Sequence, residues 1–530
     1  MEMGADRDFV VVGLLAGAAV LLVLATLVRV PYPILLVLGG LVVGFVPGVP
    51  ELELAPELVL VAFLPPLLYS AAFFTSLRDL RRKVRPISLL SVGLVLATTV
   101  GVAAIAHAAV DGLPWGAAFA LGAIVSPTDP VAATAMARRL GVSRRVVTVV
   151  EGEALINDGT ALVAYRFAVA AVVTGAFSFW EASLAFAWNV VGGVAVGIAV
   201  GILIRAVRRR LDHAPTEIAI SLMTGYFAYL SADALGVSAV LAAVTVGIYL
   251  GWHAPELTTV QSRLQGQAVW EILVFVLNAV LFGLVGLQLP AIIDGLSGYE
   301  TAELAAYGVL VSLTVVVIRI GWVFAVTYAP RFFSSRRRGR DPSPPWQHSA
   351  LLGWMGLRGA VSLAAALALP LETDAGEAFP ARDLIVFLTF CTILATLVVQ
   401  GLSLPALVRA LGVAGDDAEE QEEVEARILA AEAALTRIEE LSEEGWLNPD
   451  TVQRLRGLYH FRRRRFTARV SDDGDDGIEE QSRAYQRLRR EVLNAEREAV
   501  VELRRDGRIS DDVMHRIERD LDLEDSRLDI

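Results

Sequence analysis

Apolar stretches long enough to cross a lipid bilayer recur from residue 9 to residue 408 of the 530-residue chain. An α-helix rises about 1.5 Å per residue, so about 20 apolar residues span the hydrocarbon core of a bilayer. Hydrophobic residues make up 55% of the chain and charged residues only 20%, which excludes an ordinary soluble protein. The pattern therefore predicts an all-α membrane protein that crosses the bilayer many times.

The apolar stretches, taken between polar breaks, predict about thirteen membrane-spanning helices, which we number as spans in chain order. The predicted spans cover residues 9–28, 31–47, 57–75, 87–110, 115–138, 147–172, 182–205, 216–233, 236–252, 270–289, 303–328, 349–370 and 382–408. The eighth and ninth spans are separated only by the short stretch Ser231–Gly236, where small and polar residues interrupt the apolar run.

Arginine is concentrated in loops that follow odd-numbered spans. Its clusters follow the third, fifth, seventh and eleventh spans, within 78–85, 138–145, 208–210 and 331–340. Basic loops stay in the cytoplasm, so the N-terminus is predicted outside and the tail after the last span inside. The first apolar stretch lacks a basic start and a small-residue cleavage site, so it is predicted to be a retained span and not a signal peptide.

The charge of the chain changes abruptly after Gly412. From Val413 onward, 32 acidic and 20 basic residues account for the whole formal net charge of −12. We therefore predict a transmembrane domain at residues 1–412 and a charged, helical cytoplasmic tail at residues 413–530.

The tail contains an internal repeat at an offset of 62 residues. Glu440–Asp450 matches Glu502–Asp512, and each copy predicts a helix, a turn that contains Gly, and a second helix. Two interpretations are open. The tail is either a regulatory or pH-sensing module whose basic run Arg462–Arg465 touches anionic lipid, or a pair of solvated helical hairpins that aids assembly.

Two aspartates lie near the centres of predicted spans. Asp129 is in the fifth span, directly before Pro130, and Asp158 follows Asn157 in the sixth span. A carboxylate at that depth costs at least a few kcal/mol, so intramembrane aspartates usually belong to an ion or proton pathway. Both residues are therefore candidate cation-binding and proton-binding groups.

The fifth span also supplies hard oxygen ligands of the kind that Na⁺ and K⁺ prefer. Pro130 has no amide hydrogen and disfavours helical geometry at Asp129, so backbone carbonyls are freed inside the membrane. The hydroxyls of Ser126 and Thr128 lie in the same stretch. The structural alternative is a proline kink whose polar groups are satisfied by packing alone.

The two aspartates together predict exchange of a cation for a proton. Two carboxylates at one dehydrated site repel each other, and burial disfavours their charged forms, so at least one is expected to exchange a proton near neutral pH. Asn157 supplies a neutral amide where a further carboxylate could stand. One titrating aspartate favours electroneutral exchange of one H⁺ for one monovalent cation, provided that Asp129 does not titrate in the cycle.

Three further charged residues inside predicted spans are candidates for a structural role. Glu153 precedes Asn157 by one helical turn, and Arg319 is the one charge in the interior of the eleventh span, at a matching depth. We expect these two to form a buried ion pair, with an arginine that snorkels to the interface as the alternative. Arg358, in the twelfth span, either neutralises a half-helix dipole or a nearby acid, or lies at the cytoplasmic mouth.

The predicted orientation permits an inverted repeat. Spans 1–6 begin outside and spans 8–13 begin inside, as an inverted repeat around the seventh span requires. The most interrupted spans, the fifth and the twelfth, occupy matching positions and carry Pro127, Pro130 and a group of glycines around Arg358. Transporters of this class place crossed, broken helices at the ion site.

Three ordered motifs, Glu151–Leu162, Ser126–Ala132 and Gly356–Leu363, resemble those of the bacterial Na⁺(K⁺)/H⁺ antiporters of the monovalent cation/proton antiporter-1 family, of the NhaP type. Gly236–Leu241 and Phe282–Leu289 support the resemblance, which covers most of residues 9–412. The chain departs from the family at Ala154, where Ser is usual, and at Gly159, where Ala is common.

The resemblance implies a homodimer in a bacterial cell membrane that exchanges Na⁺ or K⁺ for H⁺, with interleaved dimerisation and core subdomains and elevator-type alternating access. It implies that Asp158 is the exchange carboxylate and that Asp158, Asp129 and Thr128 hold the cation. By the same resemblance, Asn157 lines the crossover and Glu153 pairs with Arg319. It implies no cofactor, no nucleic acid and no enzymatic reaction.

Two other classes of function compete with this prediction. An intramembrane aspartyl protease uses two membrane aspartates as a catalytic dyad, but the chain has no Gly-x-Gly-Asp element. A channel would need a filter repeat, and none is recognisable in the sequence. The leading prediction is a Na⁺/H⁺ antiporter, with K⁺/H⁺ exchange as the alternative.

Overall fold

The computed structural model describes residues 17–46, apart from 18, 19, 22, 26 and 29, and then residues 59–175, 179–296, 298–332, 345–413, 417–444, 446–470 and 477–526. These residues form helices joined by turns. Their only β-structure is one isolated bridge between Glu372 and Ala378. The chain divides into two compact units, Met1–Gly415 and Asp416–Ile530.

Most helices of the first unit overlap the predicted apolar stretches, but α3 lies in a predicted basic loop, α12 begins ten residues before the predicted tenth span, and α13 extends past its end. They are α1 (Tyr32–Gly44), α2 (Leu64–Phe73), α3 (Leu77–Arg82), α4 (Val84–Ser88), α5 (Val95–Ala109), α6 (Trp115–Val125), α7 (Pro130–Arg139), α8 (Arg144–Thr174), α9 (Phe179–Arg208), α10 (Ala214–Ala234), α11 (Ala239–Leu257), α12 (Val260–Leu287), α13 (Leu289–Asp294), α14 (Thr301–Phe332), α15 (Trp346–Trp354), α16 (Ala360–Leu367), α17 (Arg382–Ala395) and α18 (Gly401–Leu411). The described residues between 17 and 28 are also helical, and the start of the first predicted span lies outside the described residues.

Seven helical segments of the described chain are long and apolar enough to cross a membrane. They are Val84–Ala109, Arg144–Thr174, Ser183–Arg208, Ala239–Leu257, Val260–Ile293, Thr301–Ala329 and Arg382–Leu411. Three shorter apolar helices accompany them, at Tyr32–Gly44, Val61–Phe73 and Trp115–Val125. The protein is therefore a multi-pass membrane protein, and the total of thirteen spans stays a prediction.

The sequence predicted a break at Ser231–Gly236, and the structure has a break there, between α10 and α11. Gly236 has a φ of +67°, a left-handed conformation that favours glycine, and it lies in the turn between α10 and α11. Ser238 then caps α11, because its hydroxyl accepts a hydrogen bond from the Leu241 amide at 3.3 Å.

Three π-helical segments in the described residues were not predicted. They are Val59–Phe63, Leu89–Leu94 and Thr396–Gln400, and they precede α2, α5 and α18. A π-turn leaves a backbone carbonyl without its usual helical partner, and such turns often occur at functional sites. The indole nitrogen of Trp322 donates to the Leu89 carbonyl at 2.9 Å, which ties α14 to the second of them.

Helix α8 lies between two apolar clusters. One cluster includes Val102 of α5, Leu121 of α6 and Leu388 of α17. The other cluster is built largely from α2, α10 and α11. Because α8 contributes Val150 to the first and Leu155 to the second, its middle turns, which carry Asn157 and Asp158, run along the boundary between them.

The second unit consists of two helical hairpins. Its helices are α19 (Asp417–Ser442), α20 (Pro449–Val470), α21 (Ile478–Arg505) and α22 (Asp511–Ser526). The repeat therefore gives a helix, a turn and a helix twice, as predicted. In the second turn Gly507 has a φ of +69°, whereas the corresponding Gly445 lies outside the described residues.

Candidate ion site

Two interrupted helices of the first unit meet at their breaks, and we refer to this meeting place as the crossing. Helix α6 ends at Val125 and α7 begins at Pro130, while α15 ends at Trp354 and α16 begins at Ala360. The amide of Asp129 donates to the carbonyl of Leu357 at 2.8 Å, so the two non-helical segments are joined directly. The crossing brings four helix ends to one place, where their partial charges and unpaired backbone groups need partners.

Asp129 caps α7 and is held against the crossing segment. One carboxylate oxygen, Oδ1, accepts from the amide of Val131 at 2.8 Å. Gly359 lies so close that a Cβ at that position would overlap the Asp129 carboxylate. Only glycine therefore permits this approach. The second carboxylate oxygen, Oδ2, is the Asp129 atom that faces Gly359.

Thr128, Asn157 and Glu153 form a buried hydrogen-bonded chain. The Asn157 amide donates to the Thr128 hydroxyl at 2.9 Å and to the Thr128 carbonyl at 3.3 Å. The Thr128 hydroxyl in turn donates to Glu153 Oε1 at 3.0 Å. The other amide atom of Asn157, Oδ1, is buried and has no hydrogen-bond partner among the described residues.

Glu153 and Arg319 form a two-pronged ion pair. The distances are 2.5 Å from Arg319 Nη1 to Glu153 Oε1 and 3.0 Å from Nη2 to Oε2. Arg319 is 0% and Glu153 1% exposed, so neither charge reaches solvent. Arg319 Nη2 also donates to the Leu352 carbonyl at 3.2 Å, which links the pair to α15 near its break.

Arg358 is fully buried at the crossing and does not lie at a cytoplasmic mouth. Its Nε donates to the Val125 carbonyl, the last of α6, at 3.1 Å, and its Nη1 donates to the Gly356 carbonyl. Its backbone amide donates to the Thr396 hydroxyl at 3.1 Å. A cation that caps the carboxyl end of a half helix offsets the negative end of the helix dipole. The first of the two interpretations of Arg358 therefore fits the structure.

The Ser126 hydroxyl forms a local hydrogen bond and none with the other candidate ligands in the described residues. It donates to the Ala123 carbonyl one turn back on its own helix, at 2.9 Å. The sequence placed Ser126 in the same stretch as Thr128, but it could not show which way the hydroxyl turns.

Asp158 has no hydrogen bond or ion pair in the described part of the chain and is only partly buried. It lies within electrostatic range of Asp129. The next residue, Gly159, faces Leu241 of α11, since a Cβ there would lie 3.4 Å from the Leu241 side chain. Asp158 is therefore a carboxylate that the protein leaves free, at the boundary between the two apolar clusters.

Sequence reasoning missed a second buried ion pair. Arg208 at the end of α9 and Glu217 at the start of α10 are 3.8 Å apart, with side chains 4% and 1% exposed. Their neighbours include Tyr69, whose hydroxyl shares a 3.3 Å hydrogen bond with Ser221. Arg208 looked like one more basic loop residue, because nothing in the sequence shows that a loop arginine turns inward.

The structure thus defines a class: a multi-pass membrane protein with two broken helices whose breaks meet, and an unpartnered carboxylate within electrostatic range of Asp129 at one break. The transmembrane sodium/hydrogen exchanger family matches residues 13–410, and the chain belongs to this family of antiporters. An uncharacterized Na⁺/H⁺ exchanger of Mycobacterium tuberculosis is 38% identical over 523 residues, which cover 98% of this chain and 96% of the relative.

Further relatives carry antiporter names. The sodium, potassium, lithium and rubidium/H⁺ antiporter of Bacillus subtilis is 34% identical over 388 residues, 71% of this chain and 58% of the relative. The sodium proton antiporter MjNhaP1 of Methanocaldococcus jannaschii has the same fold, with a TM-score of 0.62 at 20% identity over 78% of this chain and 98% of that structure. These relatives are transporters, which favours transport over the protease and channel alternatives.

The contact at Gly359 gives a first prediction. Gly359→Ala is expected to lower the free energy of unfolding by about 1–3 kcal/mol, because the added methyl group must push the Asp129 carboxylate or the α16 backbone away. Thermal unfolding of the purified protein in detergent measures the change.

Gly321→Ala is the matched control for this prediction. Gly321 lies on α14, and a Cβ there would meet no atom within 4 Å. Its unfolding temperature is expected to stay the same or rise slightly, since Ala favours helix over Gly. Equal losses in both variants would contradict a specific contact at Gly359.

Proposed function

We propose that this protein exchanges Na⁺ for H⁺ across the cell membrane at Asp158, with one monovalent cation exchanged for each proton. The observation that supports the proposal most directly is the free Asp158 carboxylate beside a crossing that holds every other charged group in place. A group that must take either a proton or a cation needs an unoccupied carboxylate, and burial makes the uncompensated charge costly.

The hydrogen bonds indicate which oxygens are available to a cation. The Thr128 hydroxyl already donates to Glu153 and accepts from Asn157, so in this arrangement Thr128 mainly positions its neighbours. Asp129 Oδ1 is bound to a backbone amide, which leaves Oδ2. We therefore assign the cation to Asp158, Asp129 Oδ2 and the unpartnered Asn157 Oδ1, with water completing the shell.

Competition at one carboxylate gives antiport. A proton on Asp158 removes the charge that attracts a cation, and a bound cation blocks protonation. Either occupant lowers the free-energy cost of moving the carboxylate through an apolar environment. The empty, charged form does not move, because its cost is too high. Both occupied forms carry the same charge, so the exchange is electroneutral.

Electroneutral exchange predicts that transport ignores the membrane potential. In proteoliposomes clamped with valinomycin and fixed K⁺ gradients, the initial rate of Na⁺-evoked proton movement is expected to stay constant. If one uncompensated charge crossed the membrane in each cycle, the driving force would change by about 2.3 kcal/mol for each 100 mV. A rate that follows the potential would therefore contradict exchange of one cation for one proton, without contradicting antiport itself.

K⁺/H⁺ exchange is the second candidate, because the Bacillus subtilis relative is named for sodium, potassium, lithium and rubidium. Ala154 lies one helical turn before Asp158 and offers no hydroxyl, so this position supplies no side-chain oxygen to a bound ion. Proton movement measured with each chloride salt separately decides between the ions. A K⁺ response at or above the Na⁺ response would favour the second candidate.

We further propose the membrane topology and the motion that the sequence indicated. These are thirteen spans in an inverted repeat, an external N-terminus, a cytoplasmic tail at residues 413–530, a homodimer and an elevator-type movement. The boundary that α8 occupies between two apolar clusters suits a sliding contact. Because Cys391 is the only cysteine, a Cys391→Ala background allows single-cysteine labelling from either side of the membrane to test the topology, and cross-linking to test the dimer.

A further inference from the structure

Helix α20 of the tail carries an exposed face with two leucines and an arginine on either side of them. Leu455, Leu458 and Arg462 follow the i, i+3, i+7 spacing of one helical face, and Arg454 lies beside them, one turn before Leu458. Leu455 is 43% and Leu458 45% exposed, although both are large apolar residues. We refer to these four residues as the α20 face.

Helix α19 packs against the flank of α20 that carries Phe466, next to the α20 face. Phe466 is 7% exposed, and the guanidinium of Arg427 on α19 lies 5.1 Å from the centre of its ring. Leu455 and Leu458 stay largely exposed beside this contact, so α19 does not cover the leucines of the α20 face.

The arginines of the α20 face are not neutralised within the described residues. Arg454 donates only to the Asp450 backbone carbonyl, at 3.4 Å, and Arg462 lies over the Tyr459 ring at 5.4 Å. No carboxylate forms an ion pair with either of them in the described chain. Asp450 is the one acidic residue of the 22-residue helix, so α20 as a whole is strongly basic.

Exposed leucines between unpaired arginines match the surface of an anionic bilayer. Apolar side chains of an interfacial helix enter the acyl boundary, while arginines extend their stems along it and bind phosphate headgroups. A soluble acidic protein would satisfy the arginines, but it would not require the leucines. The tail is also tethered to a membrane-embedded unit, with only residues 412–416 between α18 and α19, so lipid is present at high effective concentration.

We propose that the α20 face is a binding surface for anionic phospholipid. The surface uses Leu455 and Leu458 for apolar contact and Arg454 and Arg462 for headgroup phosphates. It is separate from the ion site and does not depend on the proposed transport cycle.

Short-range fluorescence quenching by brominated lipid tests the contact in the full-length protein. Thr451 lies on the α20 face, one turn before Leu455, so we choose Thr451→Cys in the Cys391→Ala background and attach bimane. In nanodiscs, brominated phosphatidylglycerol is expected to quench this label, and brominated phosphatidylcholine at the same density is expected to quench it much less. Raising the salt concentration is expected to weaken the quenching, because salt screens the arginines.

Two control variants make the test specific. Bimane at Gln453→Cys, on the other flank of the helix, is expected to remain unquenched. Each arginine near an anionic surface contributes roughly 5-fold to binding, so Arg454→Gln with Arg462→Gln is expected to lower the ratio of bound to free tail by roughly 25-fold at low salt, and either substitution alone by roughly 5-fold. Arg464→Gln removes one charge from the Gln453 flank and is expected to have little effect, in contrast to either of the two single variants.

Each outcome decides the proposal. Quenching at position 451 that requires phosphatidylglycerol, Arg454 and Arg462 supports it. Equal quenching at positions 451 and 453, equal quenching by both lipids, or an equal loss with Arg464→Gln would show unspecific proximity and overturn it. Absence of quenching at position 451 in anionic nanodiscs would overturn it as well.

Discussion

Asp158→Asn is expected to abolish Na⁺-evoked and K⁺-evoked proton movement, to the level of protein-free vesicles, while the protein stays folded. Asparagine has nearly the same shape as aspartate but cannot carry a proton and has no charge to hold a cation. Under the proposed mechanism, both halves of the exchange are lost together. Dye-reported ΔpH in proteoliposomes measures the loss.

The free energy of unfolding of this variant separates lost function from lost structure. Asp158 makes no hydrogen bond or ion pair in the described residues, so its replacement breaks no contact. Removal of a partly buried, unpaired charge also removes a desolvation cost. We therefore expect the stability to be unchanged or higher, by about 1 kcal/mol at most.

An exposed aspartate provides the control. Asp233, at the end of α10, is exposed, and Asp233→Asn is expected to leave transport intact. If Asp158→Asn still moved protons in response to either cation, Asp158 would not be the exchange carboxylate. If it lost transport and also unfolded at a lower temperature, a structural role would be indicated.

The parts of the site that follow from local chemistry were predictable from the sequence. Pro130 breaks the fifth span regardless of how that span packs in the fold, because a proline lacks the amide hydrogen and clashes with the preceding turn. The regular rise of an α-helix also placed Glu153 and Arg319 at matching depths before any contact was known. The depth match did not show that the pair is two-pronged or that Glu153 also accepts from Thr128.

The other parts depend on where distant segments meet. Arg358 binds the end of α6, 233 residues earlier, and no spacing in the sequence indicates that partner. Arg208 and Glu217 turn inward, although both lie next to a basic loop. The π-turn that carries Thr396 has no sequence signature either, because an added residue in a helical turn is stabilised by tertiary contacts. Local rules therefore located the helix breaks, whereas the hydrogen-bond and ion-pair partners depend on the tertiary structure.

The second large effect is expected at the buried ion pair. Arg319→Met removes the cation but leaves Glu153, 1% exposed, with only the Thr128 hydroxyl as a partner. Breaking a buried pair by removing one member costs about 3–5 kcal/mol, because the remaining charge stays desolvated. Thermal unfolding in detergent is expected to show this loss.

The double variant Glu153→Gln, Arg319→Met is expected to recover most of that stability. Neither remaining side chain carries a charge, and the glutamine carbonyl oxygen still accepts from the Thr128 hydroxyl. A buried ion pair replaced as a whole is often neutral in stability, whereas a broken one is not. A double variant as unstable as Arg319→Met would show that the arginine contributes by packing and by its bond to Leu352, and not by neutralising Glu153.

A more exposed ion pair that also involves α8 calibrates the result. Arg138 of α7 and Glu151 of α8 are 2.7 Å apart, but the Arg138 side chain is 70% exposed. Arg138→Met is expected to cost much less than Arg319→Met, because water still reaches the Glu151 side chain, which is 23% exposed. The contrast between Arg138 and Arg319 assigns the cost to burial. The transport rate of the stable double variant then tests the role of the charge pair apart from its effect on folding. A reduced rate would show that the pair positions Thr128 and Asn157 beside the free carboxylate of Asp158.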